Sequence, residues 1–170
     1  EENNMHRKAK VAIIMGSDSD MPTMNEAVKA LKEYGVGVEI KILSAHRSPD
    51  DTAKFARNAR KKGFSVIIAG AGGAAHLAGV AASHTTLPVI GVPMETKELK
   101  GIDSLLSTIQ MPSGVPVATV AIGKAGAKNA GILALQILGV TDCTIAKKLE
   151  NLKRSLVESV RSKNRSRKSG

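Results

Sequence analysis

A short apolar run, Val11–Met15, ends at Gly16 and is followed at once by four short polar residues, Ser17–Asp20. A helical pattern then begins near Pro22 and continues to Tyr34. This order predicts a buried parallel strand, a tight turn and the N-terminus of a helix. The backbone N–H groups and hydroxyls of such a turn, with the helix dipole behind them, can bind an anion such as phosphate. An ordinary turn capped by Ser or Asp fits the same residues equally well.

The same alternation recurs along the chain and predicts the fold class. Four further strands are predicted, with helices between them, at Val38–Leu43, Phe64–Ala69, Pro88–Val92 and Val117–Ile122. Five strands that alternate with helices indicate an α/β fold in which helices cover both faces of a parallel sheet.

The C-terminal part of the sequence predicts two helices and then a change of composition. One helix spans Lys124–Leu138, and the last helix is capped by Thr141 or Asp142 and ends near Val160. A chain of 170 residues is expected to form one domain with a substantial core. The residues after 161 are rich in Ser, Lys and Arg, which favours disorder. The sequence therefore predicts an N-terminal extension over residues 1–10, a single domain that includes the C-terminal helix over residues 11–161, and a basic disordered tail over residues 162–170.

The formal net charge is +10 at pH 7, which is typical of proteins that bind nucleic acid. Residues 147–170, however, hold nine of the 25 Lys and Arg residues and only two of the 15 Asp and Glu residues. Aromatic side chains that could stack on bases are limited to Tyr34, Phe55 and Phe64. We therefore expect no nucleic-acid partner. The alternative from a different functional class is a non-enzymatic nucleotide- or RNA-binding module.

Neither a membrane segment nor a secretory signal is predicted. No stretch approaches the roughly 20 apolar residues that span a bilayer, and residues 1–10 lack an apolar centre. A single cysteine, Cys143, cannot form an internal disulfide and fits a reducing compartment. The expected location is the cytoplasm, without a membrane partner.

Three polar or glycine-rich turns follow predicted strands: Gly16–Asp20, Ser44–Arg47 and Gly70–His76. In parallel α/β sheets, ligands bind beyond the carboxyl ends of the strands, where the strand order reverses. We therefore expect the three turns to line one crevice.

Several side chains in these turns are suited to binding and proton transfer. Arg47 can bind a phosphate or carboxylate bidentately and could form a phosphate pocket with Ser17 and Ser19. Asp20 could accept ribose hydroxyls, or it could cap its helix. Histidine is the residue type best suited to exchange protons near neutral pH, so His46 is the candidate acid and base. The alternatives without a functional role are a surface ion pair of Arg47 with Asp50 or Asp51, and a solvent-exposed His46.

The glycine-rich turn fits the dinucleotide fingerprint G-x-G-x-x-A at Gly70–Ala75, with Glu95 twenty residues further on. It follows the third strand instead of the first, however, and its glycines serve equally to let a planar ligand approach the backbone. His76 could provide a second polar contact or cap the next helix. No His, Cys, Asp and Glu residues have the spacing of metal ligands.

Four motifs occur in one order and at compatible spacing. They are Gly16–Asp20, Ser44–Arg47, Gly70–Leu77 and Gln110–Thr119. Together they closely resemble the PurE family, the class I 5-(carboxyamino)imidazole ribonucleotide mutases of bacterial purine synthesis. The resemblance covers about residues 11–138.

The resemblance implies a flavodoxin-like three-layer α/β/α fold, a homo-octamer, and no metal or cofactor. It implies an isomerase of IMP biosynthesis that acts on a small ribonucleotide. The carboxylate would move from the exocyclic nitrogen to carbon 4 of the imidazole, which gives 4-carboxy-5-aminoimidazole ribonucleotide. The alternative within the family is a carboxylase that uses free carbon dioxide and aminoimidazole ribonucleotide.

The resemblance also implies a role for each motif. Ser17 and Arg47 would lie near the substrate phosphate, and Asp20 would lie near the ribose. His46 would transfer the proton.

The remaining motifs would enclose the reacting group. Gly72, Gly73 and Ala74 would line the site of the carboxylate or carbon dioxide. The loop Gln110–Pro116 would close the site of a neighbouring subunit. The uninterrupted Gly70–Leu77 and Gln110–Thr119 motifs are more similar to the mutases than to the carboxylases.

Overall fold

The computed structural model describes residues 9–167 of the chain. Within these residues the backbone forms five β-strands and six α-helices. The strands β1 to β5 are Lys10–Met15, Gly37–Ile42, Phe64–Ala71, Val89–Pro93 and Ala118–Thr119. The helices α1 to α6 are Met21–Glu33, Pro49–Ala59, Leu77–Ser83, Ile102–Ile109, Gly123–Gly139 and Cys143–Arg167.

The five strands of the described chain form one parallel sheet in the order β2-β1-β3-β4-β5. Helices lie on both sides of it, and this strand order is that of flavodoxin-like folds. The predicted α/β fold is therefore confirmed. The chain continues from β1 to β2 on one side and returns to β3 on the other, so the switch point lies between β1 and β3.

The burial of the central strands explains why they are apolar instead of alternating between apolar and polar residues. Val11–Met15 of β1 and Val66–Ile68 of β3 are fully buried, because helices cover both faces of the sheet. On one face, the rings of Phe55 in α2 and Phe64 in β3 lie 5.8 Å apart. They belong to a cluster that also contains Leu77 of α3. The strands therefore provide a rigid support for the turns that follow them.

The fifth strand is shorter than the sequence predicts. The apolar run indicates a strand over Val117–Ile122, but β5 contains only Ala118 and Thr119. It pairs with β4, the Val120 N–H still donates to the Gly91 carbonyl at 3.1 Å, and α5 then starts at Gly123. An edge strand gains hydrogen bonds from one neighbour only, so the length of its apolar run does not set the length of the ladder.

The last helix is longer than the sequence predicts. Asp142 caps it as expected, since its Oδ1 accepts the N–H groups of Thr144 at 2.8 Å and Ile145 at 3.1 Å. The expected end near Val160 is wrong, and residues 162–167 are helical where disorder is predicted. No Gly or Pro interrupts the sequence in this segment, so nothing local terminates the helix. Residues 168–170 of the predicted tail lie outside the described residues.

The chain consists of two compact units, Glu1–Ala134 and Leu135–Gly170. The first contains the complete sheet, and the second contains the end of α5 and α6. The single domain expected over residues 11–161 stays a prediction. Of the predicted extension 1–10, Lys10 belongs to β1, and residues 1–8 lie outside the described residues. None of the helices within residues 9–167 is long and apolar enough to cross a membrane.

Candidate active site at the carboxyl edge of the sheet

The three predicted turns line one cavity of about 390 Å³, a volume within the range of small-molecule sites. We call it the edge cavity. Eight of the nine predicted site residues line it, and the ninth, Gly73, lies between two lining residues. The lining residues are Gly16, Ser17, Ser19, Asp20, Ser44, Ala45, His46, Arg47, Ala71, Gly72, Ala74, His76 and Leu77.

The first turn directs polar groups into the edge cavity. A short 3-10 turn over residues 18–20 connects β1 to α1, and Ser17 caps it by accepting the Ser19 N–H at 3.3 Å. The Ser19 hydroxyl also donates to the Ser17 hydroxyl at 3.0 Å. Asp20 is the N-cap residue of α1, but its side chain makes no capping hydrogen bond. The carboxylate of Asp20 is therefore available as an acceptor, which removes the capping alternative.

Partial burial changes the acidity of Asp20. Burial raises the pKa of the Asp20 carboxyl above its ordinary value, and the negative charge of Asp18 raises it further. A hydrogen bond from the backbone of Ser17 opposes these effects in part. The ionised form of Asp20 therefore lowers the folding stability of the protein without ligand.

Arg47 connects the second turn to the first. Its Nη2 donates to the Gly16 carbonyl at 2.9 Å, and its backbone N–H donates to the Ser44 hydroxyl at 3.1 Å. Within residues 9–167, no carboxylate forms an ion pair with its guanidinium. The alternative of a surface ion pair with Asp50 or Asp51 is therefore not observed, and the positive charge faces the cavity without a counterion from the described chain.

Two histidines meet across the cavity. The His46 Nε2 and His76 Nδ1 atoms lie 2.8 Å apart, and the rings are nearly perpendicular, with an interplanar angle of 81°. One nitrogen donates and the other accepts, so both rings cannot be fully protonated in this arrangement. His76 stands at the N-cap of α3 without a side-chain capping bond. His46, the candidate acid and base, therefore does not stand alone in these turns, because His76 is its hydrogen-bond partner.

The glycine-rich turn is held from outside the cavity. The Gly73 N–H donates to the Ser104 hydroxyl at 3.0 Å, and its carbonyl accepts the Ser107 hydroxyl at 3.2 Å. Both serines belong to α4, and the motifs in the sequence do not point to them. The signal that could have revealed them is a pair of hydroxyls three residues apart on one helix.

The loop Gln110–Pro116 follows α4 and has no regular secondary structure. Within the chain, Met111 packs on α3, because a Cβ on Gly79 would lie 2.9 Å from its sulfur atom. Gly114 has a φ of +92°, which glycine adopts without strain. Closure of a neighbouring subunit's site by this loop stays a prediction.

Within residues 9–167, no group of three His, Cys, Asp or Glu side chains is arranged to hold a metal ion.

Comparison with known proteins identifies close relatives. A protein-family model described as AIR carboxylase matches residues 10–159. Proteins from Thermotoga maritima and Bacillus subtilis, each named N5-carboxyaminoimidazole ribonucleotide mutase, are both 58% identical over 153 residues. These matches cover 88% of this chain in both cases, and 88% and 94% of the two relatives. A relative of the same name from Vibrio parahaemolyticus is 56% identical, with 89% of this chain and 94% of the relative covered.

The fold is also found in a solved structure. The crystal structure of Treponema denticola PurE is similar with a TM-score of 0.82 at 27% sequence identity. The match covers 91% of this chain and 95% of that chain.

The raised pKa of Asp20 predicts a stability gain when its charge is removed. The folded state holds this proton more tightly than the unfolded state. The folding stability that is lost when Asp20 ionises is therefore retained below the ordinary pKa of 3.8 and lost in full once the pH exceeds the raised pKa. We expect Asp20→Asn to melt at a higher temperature than the wild type at pH 7, with a difference that shrinks as the pH falls toward 4. The effect should be modest, because the carboxyl is only partly buried.

Asp51→Asn is the control, because Asp51 lies exposed in the first turn of α2, where a negative charge stabilises the helix. It should melt at or below the wild-type temperature. An Asp20→Asn melting temperature no higher than that of the wild type at pH 7 would rule out this account of the cavity electrostatics.

Proposed function

Because this chain belongs to the AIR carboxylase family, we propose that its edge cavity is the active site of an N5-carboxyaminoimidazole ribonucleotide mutase. The enzyme is an isomerase of purine biosynthesis, and its reaction moves a carboxylate from the exocyclic nitrogen of the imidazole to carbon 4. The observation that carries the site assignment is the His46–His76 pair, which lies in the same cavity as the Arg47 guanidinium. Anion binding and proton transfer are thereby available within one small volume.

The first two turns bind the nucleotide part of the substrate. The Arg47 guanidinium makes a charge-assisted contact to the phosphate, and the Ser17 and Ser19 hydroxyls with the adjacent backbone amides complete the anion site. Asp20 accepts the ribose hydroxyls, which add to the hydrogen bond that its carboxylate receives from the backbone of Ser17. The imidazole then lies against Gly72 and Ala74, where the absence of large side chains lets a planar ring approach the backbone.

His46 moves one proton in each half of the reaction. When the bond between the exocyclic nitrogen and the carboxylate carbon breaks, the electron pair stays on nitrogen and His46 donates a proton to it. Carbon 4 then attacks the released carbon dioxide, and His46 takes the proton that carbon 4 loses. The protonation state at the end equals that at the start. His76 orients the ring through the 2.8 Å contact to Nε2, which leaves Nδ1 of His46 for the substrate.

A carboxylase would use the same cavity, with carbon dioxide taken from solution. We favour the mutase because relatives 56 to 58% identical to this chain over most of its length carry that name. A binding module that catalyses no reaction would not require a pair of hydrogen-bonded histidines beside the phosphate site.

The exposed site is one reason to propose a homo-oligomer, as expected for an octamer. His46, His76, Gly72 and Ala74 are all exposed in the single chain, whereas the reaction must retain carbon dioxide and exclude water. The loop Gln110–Pro116 of a neighbouring copy would provide the cover.

The second reason is an apolar surface on α4. Its side chains Ile102, Leu106 and Ile109 are 51 to 55% exposed, and Leu99 before the helix is 58% exposed. A contiguous apolar face of this kind indicates a protein–protein contact.

The exposed thiol of Cys143 supports a cytoplasmic location, where thiols stay reduced.

Two variants should affect different steps of the reaction. His46→Asn should lower kcat by about 100- to 10,000-fold, because general acid–base catalysis is lost, with little change in KM. Arg47→Ala should raise KM by roughly 10- to 100-fold, because it removes a charge-assisted phosphate contact worth about 1.5–3 kcal/mol. Steady-state assays with the carboxyamino ribonucleotide measure both. A His46→Asn enzyme with near-wild-type kcat, or an Arg47→Ala enzyme with unchanged KM, would refute the corresponding role.

Light scattering tests the assembly. The wild type should have a mass several times the 17.8 kDa of one chain, and Leu106→Asp should reduce it, whereas Lys54→Asp, at an exposed position of α2, should not. A wild type that is monomeric at micromolar concentration would disprove the oligomer.

A further inference from the structure

Gly73 has an unusual backbone environment that links the glycine-rich turn to α4. Its φ is +66°, in the left-handed region that glycine adopts readily. Both of its backbone polar groups are bound by side chains of one helix, the N–H by Ser104 and the carbonyl by Ser107. We call this arrangement the serine clamp. Gly72 and Ala74, on either side of Gly73, line the edge cavity.

We propose that Ser104 and Ser107 are positioning residues that hold the glycine-rich turn closed around the released carbon dioxide. This inference rests on the proposed mutase function. Neither serine lines the edge cavity, so each acts through Gly73. Their role is to determine whether the carbon dioxide is captured by carbon 4 or escapes.

Packing does not fix Gly73 itself. Apart from its two neighbours in the chain, no described residue has an atom within 4 Å of the place that a Cβ on Gly73 would occupy, so nothing blocks movement in that direction. The adjacent residues Gly72 and Ala74 are exposed. The hydrogen bonds of the serine clamp are therefore the specific contacts that hold Gly73 in its left-handed conformation.

The two bonds of the clamp differ in strength. Ser104 is fully buried, and its hydroxyl oxygen accepts the Gly73 N–H at 3.0 Å. The single hydroxyl proton of Ser107 is shared between the Asp103 carbonyl at 2.6 Å and the Gly73 carbonyl at 3.2 Å. The bond to Gly73 is the longer of the two, so Ser104 is expected to be the stronger half of the clamp.

The helix that carries the clamp is itself fixed. At its N-terminus, the Thr96 hydroxyl donates to the Asp103 carboxylate at 2.7 Å and accepts the Gly101 N–H at 3.0 Å. Further along, Thr108 packs directly on β4, since a Cβ on Gly91 would lie 2.4 Å from its methyl group. The hydroxyls of α4 therefore stand at a fixed distance from the sheet that supports the cavity.

Retention of carbon dioxide is the step that depends most on the wall. The molecule is small and uncharged, so no ion pair can hold it, and only the shape of the cavity keeps it beside carbon 4. If the turn opens after the nitrogen–carbon bond has broken and His46 has protonated the nitrogen, carbon dioxide leaves. The products are then aminoimidazole ribonucleotide and bicarbonate, formed with water, instead of the carboxylated ribonucleotide.

The test measures how turnovers divide between the two outcomes. The full-length wild type and the variants Ser104→Ala and Ser107→Ala are given the carboxyamino ribonucleotide, and both products are quantified after the enzyme-free decay is subtracted. We expect the ratio of decarboxylated to carboxylated product to rise about two- to tenfold in Ser104→Ala, the factor that corresponds to one net hydrogen bond. Ser107→Ala should show a smaller rise.

Two further variants separate positioning from general structural damage. Thr108→Val removes a buried hydroxyl from the same helix, one that donates to the Ser104 backbone carbonyl at 2.7 Å and does not touch Gly73. It should lower the melting temperature without changing the product ratio. Ser104→Thr keeps the acceptor oxygen and should restore the wild-type ratio. Ser107→Ala removes a half-buried hydroxyl, so the test can be completed with that variant if changes at Ser104 prevent folding.

Hydrogen exchange examines the clamp independently of catalysis. The Gly73 amide should exchange about two- to tenfold faster in Ser104→Ala than in the wild type or Thr108→Val, without substrate. A wild type that makes no carboxylated product would reject the mutase function, and the exchange measurement would still test the clamp. A wild type that is an active mutase, with unchanged product ratios in both serine variants, would overturn the inference. So would a Thr108→Val enzyme that changes the ratio as much as Ser104→Ala does.

Discussion

The candidate active site depends on the common direction and register of three strands. In the ladders, Met15 of β1 is level with Ile42 of β2 on one side and with Gly70 of β3 on the other. The three strands therefore end within one residue of each other, and the turns that follow them begin at the same edge of the sheet. Residues far apart in sequence, such as Ser17 and His76, therefore line one cavity.

Hydrogen bonds then connect the turns in series. Arg47 of the second turn donates to the Gly16 carbonyl of the first, and His46 of the second meets His76 at the end of the third. Gly73 of the third turn is bound by Ser104 of α4. The first two links use side chains to which the proposed mechanism gives a role, and the third binds Gly73, which lies between the lining residues Gly72 and Ala74. The fold thus provides both the place and the pre-organisation that the proposed catalysis requires.

The edge cavity holds two charged groups that the proposed substrate would stabilise. The Arg47 charge faces the cavity without a counterion from the described chain, and burial raises the pKa of Asp20. A phosphate and a pair of ribose hydroxyls would satisfy both groups. Such local conflicts are expected at functional sites, where binding is favoured at the expense of stability.

The sequence predicts most of the fold, because the buried parallel strands leave continuous apolar runs and each turn has a glycine or a capping residue. It also predicts eight of the residues that line the cavity, since polar turns at strand ends must meet in a parallel sheet. It does not predict the His46–His76 contact or the serine clamp, because both depend on the relative rotation of elements that local pattern does not determine. The predicted end of α6 is wrong for a related reason, since composition that favours disorder does not by itself contain a signal that stops a helix.

Transfer of the carboxylate carbon within the edge cavity is the central claim, and isotope labelling tests it most directly. The wild-type enzyme would be given substrate that carries heavy carbon at the carboxyamino carboxylate, in a buffer of unlabelled bicarbonate. We expect the product to retain the label at the carboxylate on carbon 4. Product whose carboxylate equilibrates with bicarbonate during turnover, with aminoimidazole ribonucleotide as the better substrate at low bicarbonate, would contradict the account and identify a carboxylase.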